Sequence, residues 1–362
     1  MSRIKVGVVG AGVGRSHVEA YNALPDQYEV IAICDLNEER AREAADAQGV
    51  ENVVTSLEQL FDLGPDIINL CTPSGLHFKQ TLQVLDAGFN VVVEKPVGQS
   101  LAEVDALIEA EANAKGWVCP IFQYRFGLGV QKLQHLMAKG FAKQASVGTF
   151  ETHWYRGSAY YDAAAWRGTF DGELGGCLTT HAIHIHDIMC ELMGPISSVH
   201  ARTSRMLNGN ETEDIAVLSL AFESGAFATS SVSLGSREQV SRIRLCFDDL
   251  VAESGRDPYN PGHDPWAFPN DDANQQARIA DALSDFEPQT ERFTGQFDRL
   301  HHAITNCTAL PVTLKDSRRS VELLTAAYYS ARTGEQVTLP VTSDHPFYSG
   351  WVEILKKDIA HG

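Results

Sequence analysis

Between a short apolar run at Ile4–Val9 and a helical stretch reaching about Ala23 lies Gly10-Ala11-Gly12-Val13-Gly14, and the chain then repeats this strand-to-helix passage. Tyr28–Cys34 reads as a second buried strand, followed by a polar helix over Asn37–Gln48. Asp66–Cys71, Asn90–Val93 and Trp117–Phe122 read as further strands, with helices that stop at Gly88 and Gly116. Ser56-Leu57-Glu58-Gln59 and Ser100-Leu101-Ala102-Glu103 have capping-box form. There, the first side chain accepts from the opening turn and the fourth reaches back. Strands alternating with helices through short connections fold as a parallel sheet covered on both faces. Residues 1–122 are therefore expected to form a doubly wound α/β domain of Rossmann type.

From residue 123 the pattern changes. Ala145–Trp154, Ile196–Arg205, Ile215–Phe222, Ala226–Leu234 and Val240–Phe247 follow one another as strands, with a hairpin turn at Glu223-Ser224-Gly225. Strands in succession give a large, mostly antiparallel open sheet. Gly255–Asn274 is rich in Pro, Gly, Asp and Asn and reads as an extended loop. Phe293, Phe297, Leu300 and Ile304 recur at helical spacing, as do Val321, Leu324 and Ala327. Residues 123–362 are expected to form an α+β domain, and clefts between such domains are common ligand sites.

The 362 residues carry a formal net charge of −18 and no basic stripe, which argues against nucleic acid as a partner. No run approaches the roughly 18 apolar residues of a membrane helix. The apolar stretch before Gly10 is too short for a secretory signal. Cys34, Cys71, Cys119, Cys177, Cys190, Cys246 and Cys307 are scattered without a CxxC pair, as expected of small hydrophobes in a reducing cytoplasm.

Glycines between a first strand and a first helix allow a tight turn and bring the helix N-terminus to a pyrophosphate. Here the third glycine comes one residue earlier than in GxGxxG. Arg15 follows it, either touching the pyrophosphate or solvating the turn. Asp35 ends the second strand. A carboxylate there accepts from the adenosine ribose hydroxyls and repels a 2′-phosphate, so NAD is expected over NADP; it equally suits a helix cap. In such sheets ligands bind beyond the C-terminal strand ends, where this chain carries Cys71-Thr72-Pro73-Ser74-Gly75-Leu76-His77 and Glu94-Lys95-Pro96. Near a cationic nicotinamide, a partly desolvated Lys95 has a lowered pKa and can relay protons; otherwise it is a surface lysine. Tyr155, Arg156, Tyr160, Tyr161, Trp166 and Arg167 read either as a sugar-gripping cluster or as a packing loop. An arginine in such a pocket favours a carboxylate, sulfonate or phosphate. His181 and His184 share a helical face, but His186 points elsewhere, and no metal site is expected.

The glycine turn with His17 behind it, the Thr72-Pro73…His77 segment and above all Glu94-Lys95-Pro96 resemble the glucose–fructose oxidoreductase/inositol dehydrogenase (Gfo/Idh/MocA) family. The resemblance continues through Gln123-Tyr124-Arg125-Phe126, Trp166-Arg167-Gly168-Thr169 and the run from Gly175-Gly176 to His184-Ile185-His186-Asp187, and so covers nearly the whole chain. It implies an NAD-dependent oxidoreductase moving hydride between nicotinamide and a secondary hydroxyl of a sugar, sugar acid, cyclitol or glycoside. By resemblance, Lys95 contacts the substrate hydroxyl and the nicotinamide ribose, and Pro96 follows a cis bond. His184 matches the family's substrate-facing histidine and is expected as the general base; Asp187 matches its last carboxylate. Thr180 stands where the family has Asp and Ala182 where it has Gly, so either the substrate's hydroxyl pattern differs or His181 contributes.

The resemblance places Gly10, Gly12, Val13, Gly14, Asp35, Thr72, Pro73, Ser74, His77, Glu94, Lys95 and Gln123 against the cofactor. It places Lys95, Arg125, Tyr155, Arg156, Trp166, Arg167, Thr180, His181 and His184 against the substrate, assigns substrate binding and oligomerisation to residues 123–362, and implies a homodimer or homotetramer. Two other functions stay open. One is redox-neutral glycoside cleavage, in which transient oxidation acidifies the neighbouring C–H. The other is a non-catalytic NAD sensor or partner-binding protein.

Overall fold

The computed structural model describes residues 3–361, which fall into two compact units: residues 3–122 with Arg292–Arg318, and Gln123–Glu291 with residues 319–361. Met1, Ser2 and Gly362, counted in the two expected domains, lie outside the described residues.

In the first unit, β1 (Ile4–Val9), β2 (Tyr28–Cys34), β3 (Asn52–Val54), β4 (Ile67–Leu70), β5 (Asn90–Val93) and β6 (Val118–Pro120) form a parallel sheet ordered β3-β2-β1-β4-β5-β6. Val6, Val8, Ile68 and Val91 to Val93 are fully buried. Helices on both faces remove any solvent side, which is why these strands read as unbroken apolar runs. The connecting helices are α1 (Gly14–Asn22), α2 (Glu38–Gln48), α3 (Leu57–Asp62), α4 (Ser74–Asp86) and α5 (Leu101–Asn113). At both expected capping boxes the serine oxygen accepts from the fourth residue's N–H, Gln59 and Glu103. The reciprocal bonds reach one residue further back, to Thr55 N (2.9 Å) and Gln99 N (2.7 Å).

The helix Arg292–Asn306, expected in the second domain, belongs to this unit instead. Its apolar stripe covers α1. Phe297 stacks on Tyr21 at 3.9 Å between ring centroids, Phe293 lies 4.4 Å from His17, and Tyr28 Oη donates to Phe297 O (2.8 Å). Removing that stripe from water is the driving force that returns the segment to the first unit.

The second unit is built on a seven-stranded sheet of β7 (Val147–Tyr155), β8 (Ile196–Ser204), β9 (Ile215–Phe222), β10 (Phe227–Ser233), β11 (Gly235–Cys246), β12 (Val251–Glu253) and β13 (Val337–Thr338). Its order is β12-β11-β7-β10-β9-β8-β13, and only the β7–β10 pair is parallel. The Glu223–Gly225 turn joins β9 to β10, with Gly225 at φ 86°. Phe150, Thr152, Trp154, Ser230 and Val232 are buried on one face. The helix Ile183–Met193 packs there, and all its residues but Glu191 are buried. No helix among the described residues is long and apolar enough to cross a membrane.

Candidate active site

The glycine turn connects β1 to α1 with three different demands on its glycines. Gly10 has φ 97°, and a Cβ there would sit 2.5 Å from Cys71 O. A Cβ on Gly14 would press on Val8 at 3.0 Å, so this early third glycine lets α1 lie close on the sheet. A Cβ on Gly12 meets nothing within 4 Å, leaving open space before the N-terminus of α1, where Val13 is 45% exposed. A pyrophosphate fits such a cradle. Asp35 backs the turn: its Oδ2 accepts from Ala11 N (2.8 Å) and Arg40 Nη2 (2.6 Å), its Oδ1 from Asn37 N (2.9 Å). Burial opposes its charge, but these two N–H groups and the guanidinium outweigh burial and hold the carboxyl below its usual range.

At the end of β5, the Lys95–Pro96 peptide is cis, as the resemblance implies. Glu94 Oε2 accepts from Lys95 N (3.1 Å), and Glu94 Oε1 lies 3.1 Å from His17 Nε2. His17, fully buried, is bracketed on its other edge by Asn69, whose Oδ1 also accepts from Tyr21 Oη (3.1 Å). Burial works against charge on His17, but the Cys71 sulfur and the Glu94 carboxylate outweigh it and raise its pKa to about 10. His77 bridges the two strand-end loops: Nδ1 reaches Pro96 O (2.8 Å) and Nε2 Thr72 O (2.7 Å). Thr72 Oγ1 donates to Gln80, while Pro73 and Ser74 open α4. Thr72, His77, Glu94 and Lys95, expected against the cofactor, are thus tied into one scaffold with the glycine turn.

In the second unit, a π-helical turn over Leu178–Ala182 runs directly into the helix Ile183–Met193. The paired glycines before it are sterically required, since a Cβ on Gly176 would lie 1.8 Å from Glu213 O and one on Gly175 2.0 Å from Tyr328 Oη. Buried Glu213 accepts from Gly176 N (2.9 Å), Leu178 N (3.0 Å) and Tyr328 Oη (2.8 Å), pinning the start of the turn. His184 stacks on Tyr124, centroids 4.6 Å apart. His186 faces Ser230 Oγ (2.9 Å), and burial pushes its pKa down to about 4, so it is neutral. Arg125, expected to touch substrate, commits Nε and Nη2 to Asp187 (2.6 Å each) and Nη1 to Glu191 (3.1 Å). Gln123 Oε1 is buried without a hydrogen-bond partner among the described residues.

Thr180 and His181 are hydrogen-bonded to each other, and Thr180 Oγ1 also donates to Gly176 O (2.7 Å). His181 Nε2 accepts from Arg156 Nε (3.1 Å). Trp166 is 44% exposed beside Arg167, and Tyr155 lies under Arg237 at 4.0 Å. Asn69, Glu213, Tyr328 and Tyr259 escaped the sequence reading, for want of any local signal. A cavity of about 380 Å³ lined by Phe170, Arg205, Glu213, Tyr328 and Arg332 contains none of the expected site residues.

Two family models match the chain: the GFO_IDH_MocA oxidoreductase family with NAD-binding Rossmann fold over residues 4–121, and the GFO/IDH/MocA C-terminal domain over residues 130–249. D-glucoside 3-dehydrogenase of Escherichia coli (strain K12) is 22% identical, across 93% of this chain and 98% of that protein. scyllo-Inositol 2-dehydrogenase (NADP(+)) of Bacillus subtilis (strain 168) is 25% identical, across 93% and 96%. Among solved structures, the WlbA dehydrogenase from Bordetella pertussis, in complex with NADH and UDP-GlcNAcA, matches with a TM-score of 0.81 at 28% identity, covering 94% of this chain and 100% of that one.

Proposed function

This chain belongs to the Gfo/Idh/MocA oxidoreductase family, and on that premise we propose that it transfers hydride between NAD and a secondary hydroxyl of a sugar, sugar acid, cyclitol or glycoside. The observation that carries the reading is the open cradle at Gly12, backed by Asp35, in the same unit as Lys95 at the end of β5. Bound NAD supplies the hydride acceptor. Lys95 holds the substrate hydroxyl at Nζ, its backbone fixed by Glu94. His184 takes the hydroxyl proton at a ring nitrogen, its plane set by Tyr124. Gln123 Oε1, lacking a partner of its own, accepts from the cofactor.

The similarity to a glucoside and an inositol dehydrogenase supports a polyhydroxylated substrate. NAD is preferred over NADP because the Asp35 carboxylate repels a 2′-phosphate, with Arg40 only partly offsetting its charge. The protein works as a homodimer or homotetramer in the cytoplasm. Absorbance at 340 nm, with NAD and a panel of sugars, sugar acids, cyclitols and glycosides, tests the reading. NADH forms with one class if it holds; sugar release without net NADH replaces it with redox-neutral cleavage.

A further inference from the structure

Arg156 follows β7 inside an aromatic box. Its guanidinium carbon lies 5.3 Å from the Trp154 ring centroid, 4.8 Å from Tyr160 and 5.1 Å from Tyr259. Nη1 donates to Tyr155 O (3.0 Å) and Tyr259 Oη (2.9 Å), and Nε donates to His181 Nε2 (3.1 Å). Arginine only donates, so His181 Nε2 carries a lone pair and the imidazole proton sits on Nδ1. Nδ1–H faces Thr180 Oγ1, which therefore accepts, and the threonine's own proton goes to Gly176 O (2.7 Å). Protonating His181 would break the bond to Arg156 and set two cations side by side. His181 is thus a neutral spacer that holds the guanidinium still.

A second cation adjoins the first. Arg167 lies 4.2 Å from the Tyr160 ring centroid and donates from Nη1 to Tyr160 O (2.8 Å), while its Nε is buried without a partner. The charges felt at the Tyr160 hydroxyl are Arg156 and Arg167, positive, and Glu173, negative. The groups to which Arg156 donates are uncharged, and Arg156 is only half-buried, so part of it is open to a ligand.

Resting on the hydride-transfer reading above, we infer that the substrate is an anionic sugar whose acidic group is held by the Arg156 guanidinium. A pinned guanidinium loses little freedom on binding, and its two uncommitted donors, both on Nη2, can be given to an acidic oxygen. A neutral sugar leaves this partly desolvated cation without a counter-charge, whereas an acid supplies one.

The test compares pairs of a neutral sugar and its uronic or aldonic acid in wild type, Arg156→Met and Arg156→Lys. NADH formation is measured, together with calorimetric titration of each acid into NADH-loaded protein. Wild type is expected to favour the acid at least tenfold in kcat/KM, chiefly through KM. Arg156→Met lowers that ratio at least tenfold, and Arg156→Lys recovers only part of it. A wild type that prefers the neutral partner, or a ratio unmoved in Arg156→Met, overturns the inference. If no pair yields NADH, the hydride-transfer reading has failed, and the titration still decides: acid binding lost in Arg156→Met upholds the anion site, and binding that is absent or unaffected overturns it.

Discussion

His17 Nε2 and Glu94 Oε1 face each other at 3.1 Å in the buried layer between α1 and the end of β5. The contact joins the helix that begins at the glycine turn to the residue preceding Lys95. With Glu94 Oε2 on Lys95 N, one carboxylate fixes the backbone of the proposed hydroxyl-binding lysine and reports to the cofactor turn at the same time.

Replacing His17 by Gln takes the imidazolium away from the buried Glu94 carboxylate. Breaking such a pair costs about 3–5 kcal/mol, read as a lower urea midpoint. The pH dependence follows from the sign of the shift. His17 is raised from 6.5 to about 10, so its contribution is complete below pH 6.5 and is lost as pH climbs toward 10. Wild type should lose stability over that interval, and His17→Gln should lack that part of the slope.

Asp35→Ser removes the carboxylate and releases Arg40 from its 2.6 Å bond. The guanidinium then becomes available to a 2′-phosphate. In fluorescence titrations the NADPH-to-NADH affinity ratio should rise at least about tenfold, a change of roughly 1.4 kcal/mol. An unchanged ratio would show that Asp35 does not read the ribose.

Gly10→Ala places a Cβ 2.5 Å from Cys71 O at φ 97°. A non-glycine residue held in a sparsely populated backbone region costs about 1–3 kcal/mol, before any clash is relieved. Thermal melts should show the loss, and NADH affinity should fall with it because the turn must move. Gly12→Ala, with nothing near its Cβ in the protein, should melt like wild type yet bind NADH more weakly.

Asp187→Ala takes from the Arg125 guanidinium, 6% exposed, its bonds at Nε and Nη2 and leaves the contact to Glu191. A loss of about 3–5 kcal/mol is expected. Because Arg125 is engaged by the protein, Arg125→Met paired with Asp187→Leu should restore much of that stability, which singles out a structural pair.

What the sequence made legible was local. The glycine turn, Asp35 and Glu94-Lys95-Pro96 each sit at a strand end, and chain order alone puts them at one edge of a parallel sheet. The capping boxes were visible for the same reason, their partners being three or four residues apart. Contacts between distant segments were hidden. The bond from Arg125 to Asp187 spans 62 positions, and nothing near either residue announces it. Tyr259, in a segment readable only as an extended loop, closes the box around Arg156. β12 and β13 are too short for a two-residue period to register. The helix Arg292–Asn306 was recognised as a helix, but nothing in its own stripe of aromatic residues says which unit it will cover.

The most direct test of the central claim is turnover by Lys95→Ala with the substrate that the 340 nm panel identifies. NADH is expected still to bind, while kcat falls by about 10²–10⁴, the usual loss when a positioned proton-handling group is removed. Full turnover by Lys95→Ala would contradict it.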